Sequence, residues 1–109
     1  MRKVNKFNDF KNEQLSLIIT LDTYRDIFIN DISNISKQEQ KRLFLKCSDE
    51  IRNIKTKYSD IITFKIFIII HILLHYLNLQ FNKKTVDKFV RHISILKTEL
   101  NNLEVLNDF

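Results

Sequence analysis

The sequence predicts an all-α fold, an antiparallel four-helix bundle in a single domain, and three observations carry that prediction. Gly and Pro are both absent, so the two residues that most often interrupt helices are missing throughout. Apolar residues recur at alternating spacings of three and four in four successive stretches, the mark of a helix with one buried face. No linker, repeat or low-complexity block separates the stretches, and 109 residues with 44% hydrophobic content suit one domain around one core. Short connections between successive helices make neighbours antiparallel.

Residues 1–11 read as a basic N-terminal segment ahead of the first helix, which is expected over about 12–35. There Leu17, Leu21, Tyr24, Phe28 and Ile35 form the apolar stripe, widened by Ile18, Ile29 and Ile32. The second helix, 36–58, starts at a capping box. In Ser36-Lys37-Gln38-Glu39 the hydroxyl can accept from the Glu39 amide while the carboxylate reaches back to the Ser36 amide. Phe44, Cys47, Ile51, Ile54 and Tyr58 follow at a coiled-coil-like spacing that puts Cys47 in the core, as packing rather than as a nucleophile. The third helix, 60–79, takes Ser59 or Asp60 as its cap. Without glycine, Asn78 or Asn82 must supply any left-handed residue at its end. The fourth, 83–106, carries Val86, Phe89, Ile93, Leu96, Leu100 and Leu103, with Asn101, Asn102 and Asn107 weakening its last turns. Leu103, Leu106 and Phe109 either close the bundle or dock a second copy, so a homo-oligomer is one reading.

The segment Ile61–Phe81 is almost continuous Ile, Leu and Phe, interrupted by His71 and His75. Its length, about 32 Å as a helix, matches a hydrocarbon core of about 30 Å. His71 at its midpoint is the costliest placement for a polar side chain in a bilayer, so a central bundle helix covered by three amphipathic partners is the favoured reading. Asp60, Phe64, His71, His75, Asn78 and Asn82 fall on one narrow track of the helical wheel. That track is either a groove through which the helix reaches solvent, its histidines hydrogen-bonded to neighbouring helices, or a strip that binds a partner. His71 and His75 stand one turn apart and could grip an ion, but a zinc site needs a third ligand and the run lacks the glutamate of a metalloprotease helix. His92, Asp22 and Asp26 are the residues available to complete such a site, and nothing in their spacing requires them to converge. No metal and no cofactor are expected.

The net charge of +5 rests on 13 Lys and 5 Arg. Phe, Ile, Asn, Lys and Tyr together fill 53 positions while Gly, Pro, Ala and Trp are missing. That bias points to an AT-rich genome in which lysine accumulates by drift, which weakens charge as a sign of a polyanionic partner. Lys84, Lys88 and Arg91 nevertheless form a stripe opposite the apolar seam of the fourth helix, at an end where the helix dipole favours anions. The basic residues of the second helix scatter around its exposed arc instead. Walker loops, dinucleotide fingerprints and nucleophile elbows all need glycine and are excluded, and no finger or aromatic RNA-binding signature is present. Asp22 and Asp26 read as a solvated pair. A single cysteine excludes an internal disulfide and fits a reducing compartment, and no apolar leader follows Met1, so a cytoplasmic or intracellular location is expected. The resulting expectation is a non-enzymatic interaction module of the inhibitor, immunity or adaptor kind. Its partner would be another protein, met through Phe64, His71, His75, Asn78, Lys84, Lys88 and Arg91. A nonspecific nucleic-acid-associated protein is the first alternative, and membrane association through the third helix the second.

Overall fold

Helix α1 spans Arg2–Asn30, α2 Lys37–Lys57, α3 Phe64–Leu77 and α4 Lys83–Asn101, with a 3-10 turn at Ile32–Asn34. This computed structural model describes residues 2–78 and 83–103, with side chains for 8–78 and 84–103. Asn82, Leu106, Asn107 and Phe109, and the side chain of Lys83, lie outside the described residues. Side-chain pairs fix the directions: Gln14 meets Leu100 and Asp22 meets Lys97 across α1 and α4, Lys65 meets Glu99 across α3 and α4, and Glu13 meets Tyr58 across α1 and α2. Each pair runs antiparallel, so the chain is the expected all-α four-helix bundle.

The helices occupy four corners. α1 packs most extensively on α4, α4 on α3, and α3 on α2, while α1 and α2 meet through aromatic rings. Phe28 stacks on Phe44 with centroids 5.7 Å apart and takes an edge contact from Phe89 at 4.6 Å, and Phe10 meets Tyr58 edge-on at 5.2 Å. These large side chains fill the wider α1–α2 gap at both ends. Between them lie Leu21, Ile51, Ile66, Ile70, Leu73, Ile93, Leu96 and Leu100, all buried. The seams expected for the second and fourth helices are the core faces of α2 and α4, with Cys47 buried among them.

Several boundaries differ from expectation for identifiable reasons. α1 extends back to Arg2, so the expected basic N-terminal segment is helical. Phe10, fully buried against Tyr58, anchors it. At the other end α1 stops at Asn30, where the Asp31 amide still donates to the Ile27 carbonyl at 2.8 Å before the chain tightens into the 3-10 turn. Ile29, still within α1, faces outward at 49% exposure instead of widening the stripe. Thr63, not Ser59 or Asp60, caps α3: its hydroxyl accepts from the Ile66 amide at 3.1 Å. The preceding residues are used in the reversal, with the Ile61 and Ile62 amides both donating to the Tyr58 carbonyl and Ile61 buried beneath the turn. α3 is thus 14 residues long. It packs on two neighbours as a corner helix, so the expectation of a central, covered helix is not met. Among the described residues no helix is long and apolar enough to cross a membrane.

Among the described residues, helix ends are closed without left-handed residues. No described residue has positive φ; of the two asparagines expected to supply any left-handed residue at the end of α3, Asn78, its C-cap, sits at φ −90°, ψ −8° in the right-handed region, and Asn82 lies outside the described residues. Ser36 caps α2 as expected, accepting from the Glu39 amide at 3.2 Å, but the Glu39 carboxylate pairs with Arg42 at 3.2 Å. At the end of α4 and in the turn after α1, glutamine amides meet carbonyls of the kind a glycine cap would satisfy. Gln14 Nε2 donates to the Leu100 and Asn101 carbonyls at 2.8 and 3.2 Å, and Gln40 Nε2 to the Ile32 and Ile35 carbonyls at 2.6 and 3.4 Å.

Replacing Gln14 with Ala is expected to cost about 1 kcal/mol in urea unfolding and to speed amide exchange in the final turn of α4, leaving the first turn unchanged. Phe10→Ala is expected to cost about 3–5 kcal/mol, the range for emptying a buried aromatic site. A loss near zero in the same titration would show that the start of α1 is not part of the core.

Candidate interaction face on α3 and α4

α3 is apolar on both sides, and only one side can be buried by two neighbours. Ile66, Ile69, Ile70, Leu73 and Leu77 face the core. On the opposite side Phe64 stands 77% exposed, with Ile68, His71 and His75 also exposed at three- and four-residue intervals along the same line. Phe67 flanks this line towards α2, where Lys55 Nζ sits 5.0 Å from the ring centroid in a cation–π contact, and the His71 ring lies 4.5 Å from Phe67 on the α3 surface. Towards α4 the flank is Tyr76, which meets His92 edge-on at 5.3 Å. Together these residues and Ile72 line a shallow groove of about 500 Å³.

His92 has one nitrogen committed. Its Nδ1–H donates to the Lys88 carbonyl at 2.8 Å, and since a carbonyl only accepts, the neutral ring keeps Nε2 as its acceptor. Directly alongside the groove is a second depression of about 330 Å³, lined by Lys65, Arg91, Ile95 and Glu99, in which Lys65 and Glu99 pair at 3.2 Å. The two surfaces read separately from sequence, the third-helix track and the fourth-helix stripe, are therefore parts of one face.

Phe64, His71 and His75 come together in the groove as that track predicts, exposed rather than hydrogen-bonded to neighbouring helices. Asn78 is exposed but ends α3 instead of lining the groove, and Asp60 lies in the preceding turn. Arg91 lines the adjoining depression. Lys84 and Lys88 share its stripe on α4, outside both hollows, and among the described residues no ion pair engages any of the three. Sequence reading passed over Phe67, Ile68, Ile72 and Tyr76 as part of this face, although their spacing from Phe64 and His71 carries the signal. Asp22 and Asp26 are taken by Lys97 and by Arg25, the latter pair at 3.7 Å, on the α1 side of α4. They do not converge with His92, and among the described residues no three His, Cys, Asp or Glu side chains gather as a metal site would require.

A third hollow, about 500 Å³ between α1 and α2, contains Glu13, Lys57 and Tyr58. These three are already bonded to one another. Tyr58 Oη donates to Glu13 at 2.6 Å and Lys57 Nζ donates to the other carboxylate oxygen. These bonds, Lys57 first and Tyr58 second, hold the Glu13 carboxyl below its usual range, while burial and the adjacent Glu13 raise the Tyr58 hydroxyl. Burial, reinforced by Glu50, pushes the Cys47 thiol up to about 12, so it is protonated and inert at neutral pH. Searches of known protein families, curated proteins and solved structures find no match to this chain.

Because the folded state lowers the Glu13 pKa from an ordinary 4.5, its contribution to stability is complete above that value and disappears as pH falls through the lowered one. Urea midpoints measured from pH 7 down to pH 2.5 are expected to decline below about pH 4.5. Glu13→Gln should start from a lower midpoint and decline less steeply, and parallel curves for the two proteins would remove Glu13 from this role.

Proposed function

We propose that this chain is a non-enzymatic protein-interaction module, of the inhibitor, immunity or adaptor kind, that receives another protein on the outer α3/α4 face. The observation that carries the reading is the placement of Phe64, Phe67 and Ile68 on the surface around one groove, with histidines and a tyrosine among them and the exposed Ile95 in the adjoining depression. Monomeric surfaces expose single apolar side chains freely, but a contiguous apolar and aromatic patch around a hollow is the usual form of a binding site. Taking a wholly exposed Phe or Ile side chain to full burial is worth about 1.5–3 kcal/mol, so Phe64, at 77% exposure, has most of that to gain, and Phe67 and Ile68, already more than half buried, add smaller shares. Aromatic residues dominate such interfaces because they bury large area with few rotatable bonds. The exposed cations Lys84, Lys88 and Arg91 support the alternative of a nonspecific nucleic-acid contact, but they form a short run beside a surface whose centre is apolar.

Three immobilised proteins test the reading in lysate of the cells that express it: the wild type, Phe64→Asp/Ile68→Asp, and Leu15→Asp, which alters a side chain 70% exposed on α1. A protein retained by the wild type and Leu15→Asp but lost from the double variant, at equal helix content by circular dichroism, is the expected result. Identical retention by all three sinks the assignment of this face. Salt-sensitive retardation of DNA by the wild type, abolished in Lys84→Glu/Lys88→Glu/Arg91→Glu, would favour the nucleic-acid reading instead.

A further inference from the structure

Resting on that reading, we propose that the occupant of the α3/α4 groove is an amphipathic helix of the partner protein whose apolar ridge is flanked by carboxylates. Secondary structure sets the first half of this assignment. The α3/α4 face is built from two helices whose backbone donors and acceptors are used internally, and among the described residues there is no strand whose edge an extended segment could pair with. Recognition must come from side chains. The exposed line from Phe64 to His75 covers about 16 Å along α3, three turns of a helix laid beside it, and its apolar members recur at the intervals with which a second helix would interdigitate.

Charge sets the second half. On the α2 side the groove is bordered by Lys55 over the Phe67 ring, and beyond it on the α4 side lies Arg91, with Lys88 and Lys84 continuing the stripe. The carboxylate within the adjoining depression, Glu99, is held by Lys65. Asp60 and Asp87 are exposed nearby, the first in the turn before α3 and the second beside Lys88 on α4. Both long borders are therefore cationic around an apolar floor, complementary to a helix with leucine-like residues on its ridge and Asp or Glu on its shoulders. A second copy of this chain is a poor occupant, because a two-fold pairing of the face would oppose like-charged borders and each chain carries +5. A nucleic acid would leave the apolar floor unmatched.

The test uses the full chain and two fluorescein-labelled 15-residue helical peptides that share leucines at positions 3, 7, 10 and 14. One carries Glu and the other Lys on both sides of the ridge. Fluorescence anisotropy at 50 mM salt is expected to show the Glu peptide binding at least tenfold tighter than the Lys peptide, with the gap closing at 300 mM. Lys55→Glu/Arg91→Glu should erase or invert the preference, and Phe64→Ala/Ile68→Ala should weaken both peptides alike. Equal affinities for the two peptides would overturn the charge assignment while leaving the docking face in place. Absence of binding by either peptide overturns the helix-in-groove proposal, and the lysate experiment above then decides the face by itself. Tighter association with vesicles containing phosphatidylserine than with the Glu peptide, or a dimer by light scattering that Phe64→Asp dissolves, overturns the proposal in favour of a lipid surface or a second copy.

Discussion

The two described connections, α1 to α2 and α2 to α3, are made without a residue at positive φ, and that constraint organises the rest. A glycine at the end of a helix lets the backbone turn left-handed and satisfy its own last carbonyls. Here the chain has no glycine and no described residue enters that region, and at the end of α4 and in the turn after α1 carbonyls are satisfied from elsewhere in the fold. Gln14 on α1 reaches the end of α4, 86 positions away in sequence, and Gln40 on α2 reaches back to the turn after α1. A local capping problem is thus solved by tertiary contacts. The last turn of α4 depends on α1 being docked, and the α1–α2 reversal depends on the first turns of α2.

The same constraint shapes α3. Turning from α2 into α3 with right-handed and extended backbone consumes Tyr58 to Thr63, including two isoleucines that the apolar run would otherwise have given to the helix. The helix that remains is short and lies at a corner between α2 and α4. Two neighbours can cover roughly half of its circumference, which leaves an apolar outer side whatever the sequence of the rest. Core formation and surface exposure of α3 are two results of one packing arrangement.

These relations mark the limit of what the sequence alone discloses. The core faces of α2 and α4 were legible because Cys47, Ile51, Ile54 and Tyr58, and Phe89, Ile93, Leu96 and Leu100, keep a strict period, and Ser36 declares a helix start through its own chemistry. Phe10 was not legible, because its value to the core comes from the Tyr58 ring at the far end of α2. Thr63 was hidden by Ser59 and Asp60, equally good caps whose selection depends on the length of chain the reversal requires. The groove was half legible: the wheel of α3 aligns Phe64, His71 and His75, but the contribution of His92 and the adjacency of Arg91 follow from the α3–α4 pairing, which no local pattern contains.

Compositional drift and function both predict many isoleucines, phenylalanines and lysines in this chain, so abundance does not separate them. Arrangement does. Leu45 is exposed on α2, and Leu15 and Ile19 on α1, as drift alone would scatter apolar side chains over a helical surface at little cost. On the outer face of α3 the exposed side chains are aromatic as well as aliphatic, contiguous over three turns, gathered around a hollow, and bordered on both sides by cations from different helices. Drift acts on codons one at a time and has no means of placing Lys55 of α2 over Phe67 of α3 while Arg91 of α4 lies along the other border. That conjunction across three helices, more than the charge or the hydropathy of any one of them, is what makes this face the candidate for recognition.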